Sequence, residues 1–92
     1  MRTPTGTERI QTNQNALSTT AEKIASISAG RHRVVVYNID AAISVYVGPD
    51  SGVTASTGFL VKADYAVPFY TKGELWAIAA SGTPTVCVME ED

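Results

Sequence analysis

Short β-rich runs separated by turn residues are the feature that most constrains this sequence. From Arg31 onward, stretches rich in valine, isoleucine and aromatic residues alternate with clusters of Gly, Pro, Asp and Ser. The clearest loop is Gly48–Gly52, and Lys72-Gly73 forms a second tight turn. About seven runs at a spacing of roughly 8–12 residues are typical of all-β domains. The pattern predicts an antiparallel β-sandwich or a jelly-roll-like barrel of about seven to eight strands.

Individual strands follow from alternation and from the residues that end them. Arg31–Ile39 and Ile43–Gly48 are predicted to pair as a hairpin across a short turn. Tyr65–Tyr70 is predicted to lie at a sheet edge, because Pro68 cannot donate a ladder hydrogen bond. Ala21–Ser28 favours strand over helix, with Ile24 on one face and Ala25 and Ile27 on the other. The remaining predicted strands are Phe59–Lys62, Glu74–Ala80 and Pro84–Glu90.

Two of these runs are apolar on both faces, whereas a strand with simple alternation is apolar on one face and polar on the other. They are Val34–Tyr37 and Val86–Met89. An antiparallel strand of this kind has something packed on each side of it. Either the strands line a tightly closed barrel or a second subunit covers them, and we favour the subunit. The aromatic residues predicted to form a subunit interface are Tyr37, Tyr46, Phe69, Tyr70 and Trp76.

The aromatic residues also allow a different interpretation. Of the seven aromatic side chains, Tyr65, Phe69, Tyr70 and Trp76 fall within one short stretch. Small β-sandwiches can bind sugars on exposed aromatic side chains. The same stretch lacks a facing cluster of Asn, Asp and Gln, so we favour a place in the core or in a subunit interface.

The chain is short, and its composition allows neither a disulfide nor a zinc site to stabilise it. Its 92 residues include one cysteine, Cys87, and one histidine, His32, so neither an intrachain disulfide nor a zinc cluster is available. Small domains without a disulfide or a metal site commonly gain stability from partner subunits. Charged residues make up 17% of the chain, below the roughly 25% usual for soluble domains. Both features predict an oligomer or a docked module.

Residues 1–14 differ in composition from the rest and are predicted to form an extended N-terminal arm on a single domain of residues 15–92. Thr, Gln and Asn dominate this segment, and Ile10 is its only large aliphatic residue after Met1. A segment of this composition is disordered when isolated. We expect it to be held either by its own β-domain or by a neighbouring protein.

No motif for catalysis, metal binding or cofactor binding is present. Nucleophilic catalysis by Ser or Cys needs a base, and His32 lies between Arg31 and Arg33 at the start of a predicted strand. The loop Gly48–Gly52 does not have the spacing of a nucleophile elbow. We therefore expect a protein that is not an enzyme, with no catalytic residue, no metal and no cofactor.

Charge and hydropathy exclude further classes of partner. The net charge of −2 predicts binding neither to nucleic acid nor to an anionic membrane surface. Residues 1–33 carry five basic and two acidic residues, whereas residues 34–92 carry two basic and seven acidic ones. Such a division would favour docking between copies or with a partner. No apolar stretch approaches 18 residues and no signal peptide is evident, so neither a membrane span nor secretion is expected.

The sequence resembles small structural proteins of tailed-phage virions, of the capsid decoration or cement type. The resemblance covers about 60 of the 92 residues and rests on structural rather than catalytic motifs. The matching stretches, in chain order, are Arg33–Asn38, Ser44–Gly48, Gly52–Phe59, Glu74–Thr83 and Val86–Met89.

The resemblance implies a virion component that is assembled in the host cytoplasm and decorates the capsid surface. Such a protein would stabilise the shell by binding across neighbouring subunits of the major capsid protein, as a trimer and without chemistry. The arm residues expected to contact the capsid are Arg2, Thr3, Pro4, Arg9 and Ile10. Two alternatives stay open: a tail or head–tail component, and a carbohydrate-binding module for host adhesion.

Overall fold

The computed structural model describes residues 10–91, and these form eight β-strands. The predicted all-β class is confirmed. In chain order the strands are β1 (Ile10–Ala16), β2 (Glu22–Ala25), β3 (Arg33–Asn38), β4 (Val45–Gly48), β5 (Phe59–Val61), β6 (Ala66–Phe69), β7 (Leu75–Ala79) and β8 (Thr85–Glu91).

The strands build two four-stranded antiparallel sheets. Sheet I has the order β1-β8-β3-β6 and sheet II the order β2-β7-β4-β5. Every connection between consecutive strands crosses from one sheet to the other, except the one from β4 to β5. This is the strand order of a jelly roll, the second of the two architectures that the turn spacing predicts. In the described part of the chain, no helix is long and apolar enough to cross a membrane.

Small aliphatic side chains fill the space between the sheets. In β3 and β8 every second residue points inward, so Val34, Val36, Val86 and Val88 are buried while the residues between them are not. Sheet II contributes β-branched and small residues in the same alternation. Its core side chains are Ile24, Ala25, Val45, Val47, Val61, Leu75, Ala77 and Ala79.

The predicted hairpin between the third and fourth strands is wrong. β3 pairs with β6 and β8 in sheet I, whereas β4 pairs with β5 and β7 in sheet II. Asp40 turns the chain between the sheets, because its carboxylate accepts hydrogen bonds from the backbone N–H groups of Ala42 and Ile43 at 2.8 and 2.7 Å. The buried amide of Asn38 donates to the carbonyls of Ile43 and Val61 and so ties the corner to sheet II.

The boundary predicted between an arm and a domain, at residues 14 and 15, lies inside β1. Residues 10–16 pair continuously with β8, from Ile10 opposite Glu91 to Ala16 opposite Thr85. The β-domain itself therefore holds residues 10–14, which was one of the two expected ways of ordering the segment. Residues 1–9 lie outside the described part of the chain.

The second strand lies within the predicted range, but its faces differ from the prediction. Ile24 and Ala25 are both buried, because the register of β2 against β7 shifts between Lys23 and Ala25. A bulge of this kind places two consecutive side chains on the same side. Ile27 lies beyond the strand and is 71% exposed.

Two contacts hold the β5–β6 edge and the β4–β5 loop against the rest of the sandwich. β6 is the edge strand of sheet I, as Pro68 predicts, and its Phe69 meets Phe59 of β5 edge-to-face with ring centroids 5.7 Å apart. The loop from β4 to β5 packs back on β4, with Val53 buried against Gly48. A Cβ at Gly48 would lie 2.7 Å from Val53, so only glycine allows this approach.

Candidate functional site

The outer face of sheet I is an apolar surface that the strand alternation leaves outside the core. The side chains between the buried valines of β3 and β8 point away from sheet II. Together with β1 and β6 they line a shallow depression of ≈ 520 Å³. Its main side chains, hereafter the sheet I outer face, are Thr12, Val35, Tyr37, Ala66, Cys87 and Met89. The two runs that were predicted to be apolar on both faces supply four of these six.

Polar contacts lie at the two ends of the sheet I outer face. The Tyr37 hydroxyl donates a 2.8 Å hydrogen bond to Oδ1 of Asp64, and this bond to a carboxylate raises the pKa of Tyr37. At the other end, Nη2 of Arg33 donates to Oε2 of Glu91 at 2.8 Å. The Arg33 hydrogen bond lowers the pKa of Glu91, and the same bond raises the pKa of Arg33. An apolar centre with a polar rim is the usual arrangement of a protein–protein interface.

The outer face of sheet II carries two large aromatic side chains. Tyr46 and Trp76 alternate with buried residues on β4 and β7, so both point outward and lie on adjacent strands. Trp76 Nε1 donates a 2.9 Å hydrogen bond to Oε1 of Glu74. Lys23, opposite Trp76 on β2, places Nζ 3.7 Å from Oε2 of the same glutamate.

The structure therefore separates the residues predicted for a subunit interface. Tyr46 and Trp76 share the outer face of sheet II, whereas Tyr37 lies on the sheet I outer face, on the opposite side of the sandwich. Phe69 points inward and packs on the core beside Phe59. Tyr70 follows β6 and is 75% exposed. The sequence could identify large aromatic residues, but not which of them share a face.

Of the residues predicted to contact the capsid, Arg2, Thr3, Pro4 and Arg9 lie outside the described residues. Ile10 is the first residue of β1 and its side chain is largely exposed. It stands opposite Glu91, at the polar end of the sheet I outer face.

A polar cleft between β1 and β2 was not predicted. Gln11, Asn13 and Asn15 occupy the alternate positions of β1 that stand opposite Glu90, Val88 and Val86, so they line the inner side of sheet I at its open edge. Facing them across the gap are residues 23–28, and the cleft measures ≈ 460 Å³. In the sequence, amide side chains stand at every second position of this segment, which is the alternation of a strand. The segment is so polar that it was not predicted to be a strand.

Single residues with potential chemistry are dispersed over the described chain. His32 is exposed, and its backbone N–H donates to the carbonyl of Glu91 at 2.6 Å. Cys87 is half-buried on the sheet I outer face. Within residues 10–91, no three His, Cys, Asp or Glu side chains come together as a metal site would require.

Comparison with known proteins gives a likeness in fold. No protein-family model matches the sequence, and no curated protein matches it. Among solved structures, the chain is similar to the stem and receptor binding domain of the spike protein P1 from bacteriophage PM2, with a TM-score of 0.65 at 15% sequence identity. The match covers 89% of this chain and 33% of that one. The chain thus spans about a third of the spike structure, and at this identity the likeness establishes a shared fold.

Proposed function

We propose that this protein is a non-enzymatic structural module of a phage virion that works by packing against copies of itself and against neighbouring virion proteins. The sequence resemblance to tailed-phage structural proteins and the fold likeness to a phage spike support the same class of protein. The resemblance rests on local motifs, and the fold likeness rests on the arrangement of the whole sandwich.

The observation that carries the proposal is the sheet I outer face. Val35, Cys87 and Met89 lie side by side on β3 and β8 as half-buried, apolar residues of a surface that the described residues do not cover. Exposed apolar patches of this kind mark interaction sites. A chain of 92 residues with a single cysteine also gains stability by covering it.

A second copy is the partner that we propose for the sheet I outer face, with a trimer as the expected assembly. The rim offers both signs of charge, in Arg33 and Glu91, so it can contact charged groups of either sign on a different surface of the next copy, as the heterologous contacts of a trimer require. Contact with the major capsid protein is then left to residues 1–14.

The mass of the purified protein in solution tests the assembly, and its copy number in purified particles tests the location. A trimer present in many copies per particle supports capsid decoration, and a trimer present in few copies supports a place in a tail or spike. A stable monomer that is absent from purified particles would overturn the proposal.

A spike or adhesion role is the second candidate, and the fold likeness favours it. The similar structure is described as a stem and receptor binding domain, so one part of that chain binds a receptor. Low copy number, together with loss of particle attachment to host cells after addition of the purified protein as a competitor, would favour this role over decoration.

A further inference from the structure

We infer that the cleft between β1 and β2 is a binding site for a neutral, hydroxyl-rich ligand, namely a carbohydrate. The inference goes beyond the proposed structural role and does not depend on it. It rests on the polar inner side of β1, which departs from the rule that inward positions of a sandwich strand are apolar. Departures of this kind are expected at functional sites.

The lining of the cleft matches the chemistry of sugar hydroxyls. The amides of Gln11, Asn13 and Asn15 carry both donors and acceptors, as a hydroxyl group itself does. Asn15 Nδ2 donates to Asn13 Oδ1 at 2.5 Å, and the remaining donors and acceptors of the three amides are left for a ligand. Ser26 and Ser28 add hydroxyls on the opposite wall. The volume of ≈ 460 Å³ falls within the range of roughly 300–1,000 Å³ usual for small-ligand pockets.

The charged residues and the apolar surface of the cleft indicate which class of ligand fits it. The two charged residues of the lining already have partners, because Lys23 pairs with Glu74 and Glu90 pairs with Arg31, so neither an anion nor a cation is favoured. The Glu90 carboxylate is held in place by Nη1 of Arg31 at 2.8 Å, which fixes it as an acceptor on the cleft wall. Ile27 supplies an exposed apolar surface for the C–H face of a sugar ring.

One wall is a paired strand, and the other begins in β2 and continues into residues 26–28, which makes the site largely pre-formed. All seven residues of β1 are in register with β8. The facing wall is held by the pairing of β2 with β7. Beyond the strand, the Ser26 carbonyl accepts from Nη1 of Arg31 at 2.8 Å and the Ser28 N–H donates to the Lys72 carbonyl at 2.9 Å. Little conformational freedom is lost on binding to groups positioned in this way.

The test is a titration of the isotope-labelled full chain, followed by amide chemical shifts in NMR. The probes are glucose, galactose, mannose, N-acetylglucosamine and short oligosaccharides of each. We expect saturable shifts confined to residues 11–15, 23–28 and 90. Gln11→Ala is expected to weaken binding about tenfold, because it removes hydrogen bonds from the site. Gln14→Ala, on the opposite face of the same strand, is the matched control and should leave the affinity unchanged.

Several outcomes would overturn the inference. These are an absence of shifts with every probe, shifts centred on Trp76, and equal effects of Gln11→Ala and Gln14→Ala. Shifts of β1 amides that depend on protein concentration alone would show that this edge pairs copies of the chain. The first three outcomes do not bear on the mass or copy number that test the proposed structural role, so the two can fail separately.

Discussion

Arg31 and Glu90 form an ion pair in which Nη1 of the arginine lies 2.8 Å from Oε1 of the glutamate, and the arginine side chain has no exposed surface. The other guanidinium bonds go to backbone carbonyls. Nη1 also donates to Ser26, Nε donates to Thr71 and Nη2 donates to Gly73. One buried side chain therefore joins the loop before β3, the loop before β7 and strand β8.

Replacing Arg31 is expected to destabilise the fold strongly. Arg31→Met leaves Glu90 and three loop carbonyls without their partner, and breaking a buried pair costs about 3–5 kcal/mol. Urea unfolding followed by circular dichroism measures the loss. Arg31→Lys should recover only part of it, because an ammonium group cannot reach three carbonyls and a carboxylate in the same planar geometry. Wild-type stability in Arg31→Lys would contradict this account.

The pH dependence of stability is expected to have an identifiable contribution from Asp40. Hydrogen bonds from the backbone N–H groups of Ala42 and Ile43 lower the pKa of its carboxyl group in the folded state. Around pH 4 and somewhat below it, the unfolded chain therefore binds more protons than the folded chain. The stabilisation is complete above about pH 4, the ordinary carboxyl value, and is lost as the pH falls through the lower folded-state pKa.

Asp40→Asn tests this contribution, because an amide oxygen can still accept a hydrogen bond but does not titrate. The melting temperature of the wild type should exceed that of the variant at neutral pH, and the difference should shrink as the pH falls below about 4. Glu91, whose pKa is also lowered, is present in both proteins and cancels from the difference. A difference that is constant with pH would contradict the prediction.

Gly48 is expected to be intolerant of a side chain, and Val53 is the reason. The new Cβ of Gly48→Ala would lie 2.7 Å from both Cβ and Cγ2 of Val53, which forces the β4–β5 loop to move at a cost of about 1–3 kcal/mol. Gly30→Ala is the control, because a Cβ there meets no atom within 4 Å. In a Val53→Gly background the cost of Gly48→Ala should fall, and a double-mutant cycle of unfolding free energies measures the coupling.

The sequence predicted the fold class and most strands because β-propensity and turn residues are local signals. It missed β1, since Gln11, Asn13 and Asn15 are polar where an inner face is normally apolar. It also predicted a hairpin at Asp40, because alternation marks strands but does not reveal which strands pair. The same limit applies to the site residues: Tyr37 and Trp76 are outward-facing on opposite sheets, and only the strand order separates them.

Self-association through the sheet I outer face predicts a specific response to charge at Val35. This residue is half-buried between β8 and β6, opposite Met89 and Pro68, and points away from the core. Val35→Lys should therefore leave the monomer folded but place an unpaired charge in the interface. Burying such a charge costs several kcal/mol, so the dissociation constant of the oligomer should rise about a hundredfold or more.

Leu60→Lys is the matched control, because Leu60 is exposed opposite Tyr46 on the outer face of sheet II. Light scattering coupled to size-exclusion chromatography gives the mass of each variant, and circular dichroism confirms that each remains a folded β-protein. We expect Val35→Lys to run as a monomer and Leu60→Lys to keep the wild-type mass. The reverse result would move the interface to the face of Tyr46 and Trp76. Dissociation by both variants would mean that copies pack through both sheets, as a module built into a continuous assembly would.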